Sequence, residues 1–305
     1  MALSSLTTRI RGQAVTQRVH KRLNVSPLRY PGGKGALYSR LRSLIRDSDL
    51  AGCTYVEPYA GGAGAGLSLL VTGQVSHVVI NDLDPAIFAF WRLLHTSPDC
   101  FISRIMSVPL DVTEWRRQKE IYATAAPDEI EALGFATFYL NRTNRSGVLN
   151  GGPIGGHDQT GSYTIDARFN RRQLAERIGL LALHASDITV TARDGADVIS
   201  DYAGQRGIFV YADPPYFEKA GSLYMNSFRL EDHERLAGVL NGFKDSAWLL
   251  TYDNSSHVER LYAERRRRAF ELQYSANGAS TATEIAVLSD VMADIPEGWD
   301  LRQTA

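Results

Sequence analysis

Short apolar, β-rich runs alternate with helical periods along this chain, and that alternation admits few folds. Thr54–Val56, His77–Ile80, Ile188–Thr191, Ile208–Tyr211 and Ala247–Thr251 read as strands, with Glu284–Ser289 as a further strand near a sheet edge. Between them a helix is predicted to start near Leu67 and another to cover Ala86–Leu94. A third follows from Leu236, Val239, Leu240 and Phe243, which recur at i, i+3, i+4 and i+7. Strands interleaved with helices bury both faces of a parallel sheet, so the expected class is α/β. From His95 to Ser186 the rhythm breaks. Helical segments at Thr113–Ala123 and Glu129–Leu140 precede a polar, glycine-rich loop, Asn141–Tyr163. That loop is too long for a simple strand–helix connection, and the stretch reads as an inserted subdomain with a mobile loop.

The length of 305 residues accommodates one large domain or a core plus such an insert. With 44% hydrophobic and 22% charged residues the chain is neither disordered nor collagen-like, and no apolar run approaches the roughly 18 residues of a membrane span. The net charge of −1 excludes binding to a polyanion by global charge excess, so any nucleic-acid contact must come from local patches. One patch is residues 141–180, where six arginines face only Asp158, Asp166 and Glu176; a solvated face is the plainer alternative. Residues 1–26 hold Arg9, Arg11, Arg18, Lys21 and Arg22 and no acid. A transit segment, a tail that touches phosphate and a solvated extension all have this composition. The Arg265–Arg268 run reads as an exposed face rather than a polyanion contact. Cys53 and Cys100 form no CxxC pair, which leaves no zinc site or disulfide framework and points to a reducing compartment.

Three motifs carry chemistry. Tyr55-Val56-Glu57-Pro58-Tyr59-Ala60-Gly61-Gly62-Ala63-Gly64-Ala65-Gly66 takes a strand through a glycine turn into a helix. Its spacing is not GxGxxG, and Glu57 at the strand end would repel a pyrophosphate and attract a cationic or amino-bearing ligand. A tight structural turn is the alternative. Asp82, twenty positions after Gly62, lies in Asn81-Asp82-Leu83-Asp84 at the end of the next strand. A carboxylate there can accept both hydroxyls of a ribose, or cap the helix that Pro85 opens. Asp213-Pro214-Pro215-Tyr216 directly follows the strand Ile208–Tyr211. Two prolines stiffen this turn and remove two N–H donors, leaving a carboxylate, carbonyl oxygens and an aromatic ring. That set suits a planar base with an exocyclic amino group. Acceptors for both amino hydrogens push electron density back onto a nitrogen that is otherwise non-nucleophilic.

In order, Arg29-Tyr30-Pro31-Gly32-Gly33-Lys34, Val56-Glu57-Pro58-Tyr59, Asn81-Asp82, Phe138-Tyr139-Leu140-Asn141-Arg142 and Asp213–Tyr216 with Asn226-Ser227-Phe228 resemble the motifs of the Dam-type (D12 class, alpha-group) DNA adenine-N6 methyltransferases, over roughly residues 27–290. The resemblance implies a Rossmann-like methyltransferase sheet (residues 27–94 and 187–305), an inserted, mainly helical DNA-recognition subdomain (95–186) and a basic extension (1–26). It implies S-adenosylmethionine as methyl donor and double-stranded DNA as partner, with base flipping, direct transfer and no metal. It favours a cytoplasmic monomer and says nothing of a partner nuclease. By position, Tyr30 and Lys34 line the methionine end, Glu57, Tyr59 and Gly61 cradle the cofactor, Asp82 holds its ribose and Asp194 lies near its adenine. Asp213, with Pro214 and Pro215, receives the target amino group, and Tyr216 stacks on its ring. Arg142, Asn144 and Arg145, then Arg168 and Asn170, with Asn226 and Ser227, are the expected DNA contacts. The sequence departs from the family at Ser275–Ile285, where basic residues are absent. An RNA- or protein-directed methyltransferase and a binding-only homologue are the alternatives.

Overall fold

In the computed structural model, residues 25–29, 34–216, 228–274 and 280–295 are described. Seven strands form one sheet: β1 (Thr54–Glu57), β2 (His77–Asn81), β3 (Ile188–Thr191), β4 (Ile208–Ala212), β5 (Trp248–Asp253), β6 (Arg266–Tyr274) and β7 (Ser280–Leu288). Their order is β3-β2-β1-β4-β5-β7-β6. The first five are parallel, and β7 runs antiparallel between β5 and β6.

Strand periodicity sorts side chains onto two faces. Tyr55, Val78, Ile80, Phe209, Tyr211 and Leu249 join one apolar cluster, while their neighbours Val56, Val79, Val210, Ala212, Trp248 and Leu250 join another. On the first face lie α1 (Tyr38–Asp47), α2 (Gly64–Val71) and α3 (Pro85–Thr96), together with α4 (Pro98–Ser107), α5 (Val112–Thr124), α6 (Ile130–Thr143) and α7 (Arg171–Ala182). On the second lie α8 (Gly195–Tyr202), α9 (Leu230–Gly242) and α10 (Ser256–Leu261).

The helices of residues 95–186 build no core of their own. Phe138 sits among Phe90 (6.1 Å), Phe101 (5.0 Å) and Phe169 (5.5 Å), which ties α6 to α3, α4 and the segment before α7. Close approach of α6 to α3 requires Gly134, where a methyl carbon would lie 2.5 Å from the Ala89 carbonyl oxygen. The loop after α6 is pinned as well: Arg145 N–H donates to the Gly152 carbonyl and Ile154 N–H to that of Thr143.

Glu284–Leu288 lies in β7, next to the edge strand β6, so the expectation of a strand near a sheet edge holds. The expectation of a wholly exposed arginine run needs correction. The arginine run begins β6, and only Arg267 and Arg268 are exposed. Arg265 pairs with Asp290 and donates to Asn241, and Arg266 pairs with Asp294. Helix α7 is an element the sequence reading did not anticipate.

Phe138→Ala is expected to cost about 3–5 kcal/mol in denaturant unfolding, in a single transition. A loss below about 1 kcal/mol would show that the helices of 95–186 do not share the sheet's core.

Candidate active site

The parallel strands end along one edge, and the strand order reverses between β1 and β4, where doubly wound sheets take ligands. β1 delivers Glu57 to this crevice. The turn after it is tight: Gly61 and the non-glycine Ala63 both adopt left-handed backbone, with φ of 47° and 45°, and holding Ala63 there costs about 1–2 kcal/mol. Trp91 Nε1 donates to the Gly61 carbonyl at 2.8 Å and braces the turn.

Glu57 is 5% exposed. Its Oε1 accepts from the Tyr55 hydroxyl (3.1 Å) and from Gly66 N–H (3.2 Å). A methyl carbon on Gly66 would lie 2.8 Å from the Tyr55 ring and 3.3 Å from that oxygen, so glycine lets the helix backbone reach the carboxylate. Oε2 is buried with no hydrogen-bond partner among the described residues. Burial pushes the carboxyl up to about 8, over the opposing effect of its two donors. A buried acceptor left over at a helix start suits a ligand that brings an ammonium group.

Asp82 lies beyond β2. Its Oδ2 accepts from Gly61 N–H (2.8 Å) and its Oδ1 from Asp84 N–H (3.0 Å), while burial raises it to about 7. Vicinal hydroxyls would add the donors that restore its charge. Beside it Leu83 is 53% exposed, an apolar face at the mouth of the crevice. Asn81 is a hub: its amide nitrogen donates to the carbonyls of Pro58 and Arg193, and its oxygen accepts from Thr191 Oγ1 and Arg193 N–H. It thereby locks the ends of β1, β2 and β3 together.

Asp213 follows β4. Its Oδ1 accepts from Thr251 Oγ1 at 2.8 Å, and the Tyr211 hydroxyl lies 2.9 Å from Thr251 Oγ1. Pro214 and Pro215 carry the chain to Tyr216, whose ring is 9% exposed and packs in the second cluster near Tyr252. The Tyr216 hydroxyl lies 3.2 Å from Asp213 Oδ1 and 2.5 Å from Glu284 Oε1. Tyr59 packs against Gly195 and edge-on to Phe228. Asp194 caps α8 through the N–H groups of Ala196 and Asp197 and pairs with Arg235 at 2.8 Å, so one of its oxygens is committed to structure.

The expected DNA contacts divide. Asn144 is fully buried, accepting from Trp115 Nε1 and donating to the carbonyls of Val148 and Leu149, so the expectation that it reaches DNA is overturned. Arg142 donates to the carbonyls of Arg168 and Pro27 and acts as a strut. Asn170 is exposed and caps α7 through Gln173 N–H. Arg145 and Arg168 are exposed. Arg29, Arg142, Arg168 and Arg177 form a cluster. Burial disfavours the charge of Arg142 first, then Arg177, Arg29 and Arg168 add repulsion. Tyr30, Asn226, Ser227 and the Lys34 side chain lie outside the described residues, as do residues 1–24 and 275–279.

Sequence reasoning missed Asn141, Thr251 and Glu284. Asn141 accepts from Arg29 N–H and donates to the Arg29 carbonyl, both at 2.7 Å, joining the start of α6's loop to the segment that leads to Lys34. Its only signal was its place in Leu140-Asn141-Arg142. Thr251 and Glu284 lie inside apolar strands and gave none.

Against known proteins, residues 30–276 match the family described as D12 class N6 adenine-specific DNA methyltransferase. The chain is 21% identical over 250 residues to the Type II methyltransferase M.CviBI of Paramecium bursaria Chlorella virus NC1A, covering 81% of this chain and 90% of that protein. Among solved structures, a putative RNA methyltransferase from Pyrococcus horikoshii superposes with a TM-score of 0.40 at 11% identity, covering 98% of each chain. The rRNA methyltransferase AviRa from Streptomyces viridochromogenes superposes with a TM-score of 0.34 at 18% identity, covering 83% of this chain and 85% of that one.

Glu57 holds its proton to about pH 8 when folded, against an ordinary value of 4.5. Between those values the folded state binds more protons than the unfolded one, so stability falls as pH rises. The thermal midpoint of the unliganded protein is expected to drop from pH 5 to pH 8, and Glu57→Gln to flatten the drop. A pH-independent wild type would refute the burial argument.

Proposed function

The chain belongs to the D12 class N6 adenine-specific DNA methyltransferases, and on that premise we propose how its residues divide the work of methylating the N6 amino group of adenine in DNA. The observation that carries this reading is a proline-locked, acceptor-lined corner at the switch point of the sheet, beside a buried carboxylate that lacks a donor. S-adenosylmethionine, the methyl donor, supplies an electrophilic methyl group on a sulfonium. Glu57 would face its ammonium group, Asp82 its ribose hydroxyls, and Leu83 and Tyr59 would cover its flat surfaces.

Asp213 takes an N–H of the target amino group, with Thr251 fixing the rotation of the carboxylate. The two prolines withhold their N–H donors from the corner, which leaves it rich in acceptors for the amino group. A fixed acceptor array of this kind stabilises charge developing on the nitrogen as it attacks. Once the methyl group is attached, the nitrogen loses a proton without needing a strong base. Reaching the corner requires the adenine to leave a duplex, at about a few kcal/mol.

We assign target recognition to residues 95–186. Supporting this is the cluster of Arg29, Arg142, Arg168 and Arg177, whose mutual repulsion a DNA phosphate would relieve. Arg145 and Arg168 are exposed and would touch DNA directly. We further propose that the protein acts as a cytoplasmic monomer on duplex DNA. Among the described residues no helix is long and apolar enough to cross a membrane.

Incubating the protein with labelled S-adenosylmethionine and unmethylated genomic DNA, RNA or protein is expected to place label only in N6-methyladenine of DNA. Label in RNA or protein, or cofactor binding without any product, would support the corresponding alternative. Asp213→Ala should abolish turnover and leave S-adenosylmethionine binding within about twofold, since its carboxylate serves the other substrate. Unchanged turnover would refute its role. Arg168→Ala is expected to weaken DNA binding alike on all sequences and to lower the salt slope by about 1; an unchanged slope would remove it from the phosphate contacts.

A further inference from the structure

One phenol hydrogen in this site faces two carboxylates. The Tyr216 hydroxyl lies 2.5 Å from Glu284 Oε1 and 3.2 Å from Asp213 Oδ1. A single O–H donates well to one acceptor at a time, and the shorter contact directs it to Glu284. Glu284 is 1% exposed and sits in β7, opposite Asp253 of β5 and Phe270 of β6, so its backbone is held from both sides. Burial first, then the Asp213, Glu284 and Glu57 carboxylates, raise the Tyr211 phenol, against the opposing hydrogen bond of Thr251. A carboxylate this deep in a sheet is costly unless it is hydrogen-bonded, and one such bond comes from the last residue of the Asp213–Tyr216 corner.

We propose that Glu284 is a positioning residue for the target-base pocket: it captures the hydroxyl of Tyr216, so orienting that ring at the end of the proline-locked corner and drawing its proton away from Asp213. Two consequences follow. The Tyr216 ring is anchored at its far end as well as through its backbone, which restricts the plane it offers to an adenine. Asp213 Oδ1 keeps the donation of Thr251 but is relieved of competition from the phenol, so its capacity for the target N–H is preserved. If Glu284 cannot accept, the phenol turns to the acceptor at 3.2 Å and competes with the substrate for it. The inference rests on the reading of Asp213–Tyr216 as the target-base site.

The test is a double-substitution cycle on the full chain with Glu284→Gln, Tyr216→Phe and the pair, reading kcat, KM for S-adenosylmethionine and thermal midpoint. Glu284→Gln keeps the shape but lets an amide N–H face the phenol. It is expected to lower kcat by between about tenfold and a hundredfold, with KM for S-adenosylmethionine unchanged. In the Tyr216→Phe background the same substitution is expected to have almost no further effect, because no phenol remains to be redirected. An equal loss in both backgrounds would overturn the proposal, since Glu284 would then act through its charge or through the strand. Should Glu284→Gln fail to fold, Tyr216→Phe alone decides: a reduced kcat at unchanged KM supports an anchored hydroxyl, and wild-type kcat overturns it. A wild-type protein that makes no N6-methyladenine defeats this proposal and the assigned function together, whereas additive losses in an active enzyme defeat this proposal alone.

Discussion

Desolvated carboxylates at the ends of parallel strands are the constraint from which the rest of this site follows. Glu57, Asp82 and Asp213 end β1, β2 and β4 or lie just beyond them, in a crevice walled by apolar side chains. Burial favours the neutral carboxyl and so raises Glu57 to about 8 and Asp82 to about 7. Their protein donors are few and mostly backbone: Gly66 for Glu57, and Gly61 and Asp84 for Asp82. A site assembled from acceptors short of donors selects ligands rich in N–H and O–H groups. An ammonium, a pair of ribose hydroxyls and an exocyclic amino group are three such donors, and on the proposed roles each would meet a different strand end.

Backbone geometry makes that placement possible. Asn81 spends both ends of its amide on the turns after β1 and β3, so the strand ends cannot drift apart. Asn141 makes an equivalent reciprocal pair with the Arg29 peptide, and Arg142 braces Pro27 and Arg168. Residues near the start of the described chain are therefore gripped by the end of α6, over a separation of more than a hundred residues. The aromatic packing around Phe138 carries the same connection into the core. The helices of residues 95–186 and the crevice share one core, so DNA seated on the recognition surface proposed above would stand in a fixed relation to the crevice.

The five parallel strands were legible because a doubly covered sheet forces continuous apolar runs, and those runs survive any choice of loop. The turn after β1, Asp82 and the Asp213–Tyr216 corner were legible because glycine and proline act through the backbone, where residue type alone dictates conformation. Side-chain direction was not legible. Arg142 and Asn144 look in sequence like a polar pair ready for DNA, yet α6 continues to Thr143 and turns both toward carbonyls of neighbouring loops. Asp194 likewise serves as a helix cap. Strand β6 escaped notice because it opens on Arg266-Arg267-Arg268 and carries few apolar residues. Glu284 gave no signal because its partner lies 68 positions away and meets it only through the sheet.

On the roles proposed above, the two charged regions of the protein would act on different parts of one substrate. The cluster of Arg29, Arg142, Arg168 and Arg177 holds like charges together at a cost that a phosphate would relieve, while the corner at Asp213 holds acceptors that an adenine amino group would satisfy. With the whole chain near neutrality, neither attraction extends far beyond a Debye length of about 10 Å. DNA held by its backbone alone leaves the acceptors unmet, and a free adenine leaves the arginines in mutual repulsion. If the proposed roles hold, a nucleotide within a strand answers both at once, whereas free adenine answers only the corner.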